Sequence, residues 1–285
     1  MHEDPELALG APAHPRTVVV LGGGGMKGIA HIGVWKALEE SGIHVDAIVG
    51  TSMGAAIGAC LAGGMGWREL AEVARKLKRD DIVSINRRSI WLGGVREAAV
   101  FDGAHYLHYL EQIIPEHDIA KLQIPLRINA VSLVSGEEVW FGSGINEAPP
   151  LPQVVYASCA LPIYFPPARI GDDVLVDGGI LDCLPIKEAV GWGAERVIAV
   201  DVGADLLPPE PGYFDKGMIA IHDRVLGLVL QNQRRRCLAE WSGPSLTYIR
   251  PKIGHLGGWD FDRTQFLLEE GYRAGREILA QVAAA

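Results

Sequence analysis

The pentapeptide Gly50-Thr51-Ser52-Met53-Gly54 centres the Ser52 hydroxyl within an uncharged run that spans residues 47–67. G-x-S-x-G between a short apolar strand and a helix is the nucleophile-elbow pattern, in which a strained turn lifts the serine Oγ above the sheet edge. Residues two before and two after the serine crowd each other, which accounts for Gly50 and Gly54. Ala55, Ala56, Gly58 and Ala59 keep the following helix slim enough to pack close to the sheet. The Met53 N–H, at the start of that helix, can donate to an oxyanion.

A second glycine cluster precedes it, Gly23-Gly24-Gly25-Met26-Lys27-Gly28. Its G-x-G-x-x-G spacing after a strand matches the dinucleotide fingerprint. That reading also demands an acidic residue at the end of the second strand, about 20 residues on. Asp46 precedes that strand, which ends instead in Gly50-Thr51-Ser52, so the nucleotide reading fails. The other use of unsatisfied N–H groups at a helix N-terminus is to hold developing negative charge.

A serine nucleophile needs a proton acceptor. His222 and His255 follow Asp177 in the chain order Ser…Asp…His of α/β-hydrolases. His222 falls in an amphipathic helix, however, and His255 in a Gly-rich loop. His31 and His44 read as a helix residue and a loop residue. Asp177, in "VLVDGG", ends a strand, and Gly178 and Gly179 remove side-chain bulk around it. Alone, Asp-Gly is a common turn. Beside an elbow and an amide cradle it reads as the base, able to act by itself if it is partly desolvated and within reach of the serine.

The elements that must position these groups alternate strand with helix along nearly the whole chain. "TVVVL" and "VDAIV" read as strands followed by helices. "LRINAVSL" and "EEVWFG" read as strands joined at Ser135-Gly136, and "RVIAVDVG" and "LTYIRP" as later strands. This pattern predicts an α/β fold with a mostly parallel central sheet flanked by helices. One domain is expected over residues 17–285, after a flexible leader over 1–16. The uncharged run has a membrane-spanning length, but its six glycines and its strand-turn start argue against a span.

Four segments in order resemble the patatin-like phospholipase family: "GGGMKG" at 23–28, "GTSMG" at 50–54, "ASCALPIYFPP" at 157–167, and "DGG" at 177–179. The resemblance covers about residues 17–203 and implies a patatin-like three-layer sandwich. It implies a Ser52–Asp177 dyad without histidine and an oxyanion hole from Gly23, Gly24 and Gly25. Lys27, Gly28, Gly50, Gly54, Gly178 and Gly179 would support the motifs. The implied reaction is hydrolysis of acyl esters in phospholipids, lysophospholipids or neutral lipids, with no metal or other cofactor. The chain departs from many members at Gly22, where they carry aspartate, and at Lys27, where they carry arginine. A catalytically silent lipid-binding or regulatory protein on the same fold is the alternative.

The 285 residues carry a net charge of -9, with 48% hydrophobic and 21% charged residues. Such a chain is globular and has no overall attraction for nucleic acid or anionic membranes. Cys60, Cys159, Cys183 and Cys237 have no metal-ligand or redox spacing, which fits a reducing, cytoplasmic setting. Lipid or fatty-acyl ester is the expected partner, reached through transient peripheral contact with a membrane surface. In "RRSIWLGGV" (residues 87–95), Arg87, Arg88 and Trp91 form the candidate interfacial loop. The triplet Arg234-Arg235-Arg236 reads as a solvated helix face.

Overall fold

The computed structural model of the protein describes residues 16–85, 99–145 and 148–283. The expected leader, apart from Arg16, and the interfacial loop with Arg87, Arg88 and Trp91 lie outside the described residues. The strands are β1 Thr17–Leu21, β2 Ala47–Gly50, β3 Leu126–Ser132, β4 Glu138–Gly142, β5 Ala168–Ile170, β6 Asp173–Asp177, β7 Arg196–Val200 and β8 Ser245–Ile249. The helices that begin the chain are α1 Ala30–Glu40, α2 Met53–Ala62, α3 Trp67–Lys76, α4 Arg79–Ile82 and α5 Gly103–Ile113. They are followed by α6 Leu151–Cys159, α7 Ile186–Gly191, α8 Met218–Ala239 and α9 Thr264–Ala283.

The strands form one sheet in the order β5-β6-β3-β2-β1-β7-β8, with β4 also paired to β3. The pairings from β3 through β2, β1 and β7 to β8 are parallel, whereas β4, β5 and β6 pair antiparallel. Helices cover both faces. Val19 and Leu21 of β1 and Ile48 of β2 enter one core with α1, α2, α6 and α9. Val18, Val20, Ala47 and Val49 enter the other core with α7. A strand buried on both faces reads as an unbroken apolar run, which is why "TVVVL" carries no polar alternation. The uncharged run 47–67 resolves into β2, a turn and the ten-residue α2. Among the described residues no helix is long and apolar enough to cross a membrane.

One detail of register positions the site. β2 pairs with β3 at Ile48↔Leu126 to Gly50↔Ile128. β6 pairs with β3 at Ala130↔Asp177 to Ser132↔Leu175. β4 spans the opposite edge from Arg127 to Val131, so β2 and β6 share one edge of β3 end to end. β2 runs parallel to β3 and β6 antiparallel, so their C-terminal ends meet head-on across Asn129.

Candidate active site

Ser52 follows β2 by two residues and caps α2 at φ 54° and ψ -125°. A positive φ at a residue with a Cβ carries strain of about 1–3 kcal/mol. The strain turns the hydroxyl out of the sheet and toward the end of β6. There Ser52 Oγ donates to Asp177 Oδ2 at 2.7 Å. Asp177 Oδ1 accepts from the Gly179 N–H at 2.8 Å. The carboxyl is 4% exposed. Burial lifts its pKa to about 6, opposed by the Ser52 hydroxyl and the Gly179 amide, both of which favour the anion.

The glycines meet steric demands of different kinds. A Cβ on Gly54 would lie 2.0 Å from the Leu21 carbonyl oxygen, so α2 presses on β1 there. The crowding expected between Gly50 and Gly54 is therefore only half of the account. Gly50 abuts the Gly54–Ala55 backbone, whereas Gly54 abuts the neighbouring strand. A Cβ on Gly28 would strike Met53 Cγ at 2.4 Å, and one on Gly178 would strike Asn129 Oδ1 at 2.2 Å.

The glycine loop lies against the serine, since a Cβ on Gly23 would stand 3.3 Å from Ser52 Cβ. Its amides are not equivalent. The Gly23 N–H donates to the Cys183 carbonyl at 3.0 Å, which corrects the expectation that Gly23 belongs to an oxyanion hole. The Gly24, Gly25 and Met53 amides donate to no described residue. All three residues line one cavity of about 250 Å³ with Ser52 and Asp177. Ile82, Tyr106, Phe165, Leu226, Leu230 and Trp259 give it an apolar wall.

Several residues without a role in the sequence reading hold this arrangement. Asn129, fully buried, accepts from Thr51 Oγ1 at 2.8 Å. Its Nδ2 donates to the carbonyls of Asp182 at 3.0 Å and Gly178 at 3.4 Å, and so spans the serine and aspartate loops. Its signal in the sequence is an amide between the apolar residues Ile128 and Ala130 of a strand. Ser158, inside "ASCALPIYFPP", accepts from the Ser52 N–H at 2.9 Å. No histidine is hydrogen-bonded to Ser52 or Asp177 among the described residues. His222 leans on Asp223 at 3.2 Å, and His44 on Asp46 at 3.5 Å. His31 is completely buried, and its Nε2–H donates to the Gly22 carbonyl at 2.9 Å, which anchors the start of the glycine loop. Burial lowers its pKa to about 4 and keeps the ring neutral.

Lys27 is buried and faces the cavity. Its pKa is lowered to about 8, chiefly by burial and by the nearby Arg234. Arg234 itself is buried, with Nε 2.9 Å from Asp201. This corrects the reading of residues 234–236 as one solvated face, which holds only for the exposed Arg235 and Arg236. Asp201 also accepts from Tyr248, Arg250 and the Gly203 amide, and so ties α8 and β8 to the end of β7.

A family profile described as patatin-like phospholipase matches residues 19–190. An uncharacterized NTE family protein of Mycobacterium bovis is 34% identical over 203 residues, covering 71% of this chain and 53% of that protein. Lysophospholipase NTE1 of Coccidioides immitis is 30% identical over 283 residues, covering 92% of this chain and 17% of that protein. The chain thus spans about half, or less, of the length of these curated relatives. The crystal structure of VipD from Legionella pneumophila shares the fold, with a TM-score of 0.51 and 17% identity over 95% of this chain and 68% of that one.

Proposed function

Because the chain belongs to the patatin-like phospholipase family, we propose that it hydrolyses carboxylic acyl esters of lipids with Ser52 as nucleophile and Asp177 as its only base. The observation that carries this reading is the 2.7 Å hydrogen bond from Ser52 Oγ to a buried carboxylate beside unoccupied amides. As Oγ attacks the ester carbonyl, Asp177 takes the hydroxyl proton. The carbonyl oxygen gains the negative charge and is held by the Gly24, Gly25 and Met53 amides. Such donors contribute about 3–4 kcal/mol each in comparable sites. The carbon–oxygen bond to the alcohol then breaks, and the alcohol departs with the proton from Asp177. Water loses a proton to Asp177 and attacks the acyl-serine. Collapse of that second intermediate frees the fatty acid and returns the proton to Ser52.

The apolar cavity of about 250 Å³ favours a substrate that inserts one acyl chain, as a lysophospholipid does, and the likeness to a lysophospholipase points the same way. Ser52→Ala and Asp177→Asn are expected to lower turnover of a short-chain ester by roughly 10³–10⁴-fold. A fluorophosphonate should label the wild type and not Ser52→Ala. Undiminished hydrolysis by Asp177→Asn would remove the dyad from the mechanism.

A further inference from the structure

The two faces of α8 have different surroundings. The inner face walls the cavity, where Asp223, Leu226, Leu230 and Arg234 share the space with Ser52 and Asp177. It is fastened by Gln233 Nε2 donating to the Ile180 carbonyl at 2.6 Å and by the Tyr164 hydroxyl donating to Asp223 at 2.5 Å. The outer face is bare. Of the 22 residues of α8 only Arg234 is buried. Met218, Ile221, Val225 and Leu228 are 75%, 46%, 54% and 49% exposed. Intervals of three and four residues align these four along one side of the helix. The stripe is about 15 Å long at the α-helical rise. Beyond it the same side carries the exposed Asn232, Arg235 and Arg236.

We propose that the outer face of α8 docks on a lipid bilayer, with the apolar stripe at the acyl boundary and Arg235 and Arg236 among the headgroup phosphates. The proposal rests on the reading of the cavity as an acyl-ester site. An apolar stripe continued by long cationic side chains is the pattern of a helix lying in the membrane interface. The stripe and the cavity-wall residues Leu226 and Leu230 are carried by the same helix, so a bilayer on its outer face lies one helix diameter from the cavity. A second copy of the chain fits the stripe poorly. The four side chains of the stripe, each about half to three-quarters exposed, present less than the roughly 800 Å² per partner of a stable interface.

The test uses the full chain carrying Ser52→Ala and vesicles of phosphatidylcholine with phosphatidylglycerol. The protein should float with the vesicles, and adding Ile221→Glu, Val225→Glu and Leu228→Glu should lower the bound fraction by about tenfold or more. In the active protein the same three changes should leave turnover of a soluble butyrate ester within about twofold. If the triple variant fails to fold, Val225→Trp reads the same contact through a blue shift in difference emission on adding vesicles. Failure of the parent protein to float, undiminished flotation of a folded triple variant, or absence of the blue shift overturns the proposal. So does a dimer in sedimentation that the three changes abolish. Loss of butyrate turnover in the wild type instead counts against the reading of Ser52, while flotation still judges the docking face.

Discussion

Asp177 is at once the proposed base and a buried acid. Its pKa of about 6 places it near the pH at which an aspartate can both hold and release a proton. Only the anion can accept the Ser52 proton, so kcat/KM for a soluble ester is expected to fall as pH drops through about 6. A profile that stays flat down to pH 4.5 would contradict that assignment. Asn129 acts through others, as a positioning residue that locks Thr51 to the Gly178 turn. Asn129→Ala should lower kcat by about 10²-fold, because a displacement near 1 Å at the reacting groups has that effect. KM should change far less, since Asn129 does not line the cavity. Equal losses in kcat and KM would mark a general structural defect instead.

At the scale of elements, the site depends on how closely α2 approaches β1. The tightest point is Gly54, where even a methyl would meet the Leu21 carbonyl oxygen at 2.0 Å. One turn later, a Cβ on Gly58 would meet Ile48 Cγ2 at 3.2 Å, a contact a side chain can relieve. Gly54→Ala should therefore destabilise by about 2–3 kcal/mol through overpacking and abolish fluorophosphonate labelling. Gly58→Ala should stay within about 1 kcal/mol of wild type, since alanine regains helix propensity. Thermal unfolding of the pair checks the contrast, and similar melting points would mean that α2 is not pinned at Gly54.

Across the whole molecule, three groups near the sheet's active end, Asp177, Asp182 and His31, titrate between about pH 4 and 6.5, and the histidine does so in the opposite sense to the two aspartates. Asp177 has a folded pKa raised from 3.8 to about 6, so the folded state holds more protons than the unfolded state in that window. Stability from this group falls as pH rises from about 4 to 6, by roughly 3 kcal/mol. His31 has a folded pKa lowered from 6.5 to about 4, so its contribution rises with pH over nearly the same window. Asp182, lifted to about 6 by burial, adds a second falling slope, so the single rising slope of His31 offsets only one of the two aspartates and wild-type stability should decline from about pH 4 to 6. Asp177→Asn removes one falling slope. In the inactive variant the opposed slopes of Asp182 and His31 remain, so its stability is expected to be flatter than wild type between about pH 4 and 6.5 and to exceed wild type at pH 7. Urea unfolding across that range measures it, and a variant less stable than wild type at pH 7 would show that the carboxylate carries no burial penalty.

Local chemistry determined much of this protein before any folding. Ser52 could be read as an elbow, because strain, glycine spacing and the strand-to-helix change all lie within a few residues. Asp177 could be read only as a candidate, since an Asp-Gly turn looks the same wherever it lies. The alternation of elements gave the α/β class, because hydrophobic periodicity is local. Packing alone decided that β2 and β6 meet end to end on one edge of β3, that Asn129 sits between them, and that Arg234 turns inward while Arg235 turns out. It also decided that the Gly23 amide is consumed by Cys183, 160 residues away. Sequence states what each residue can donate, accept or bury, whereas partners distant in the chain exist only once the backbone has brought them within hydrogen-bond reach.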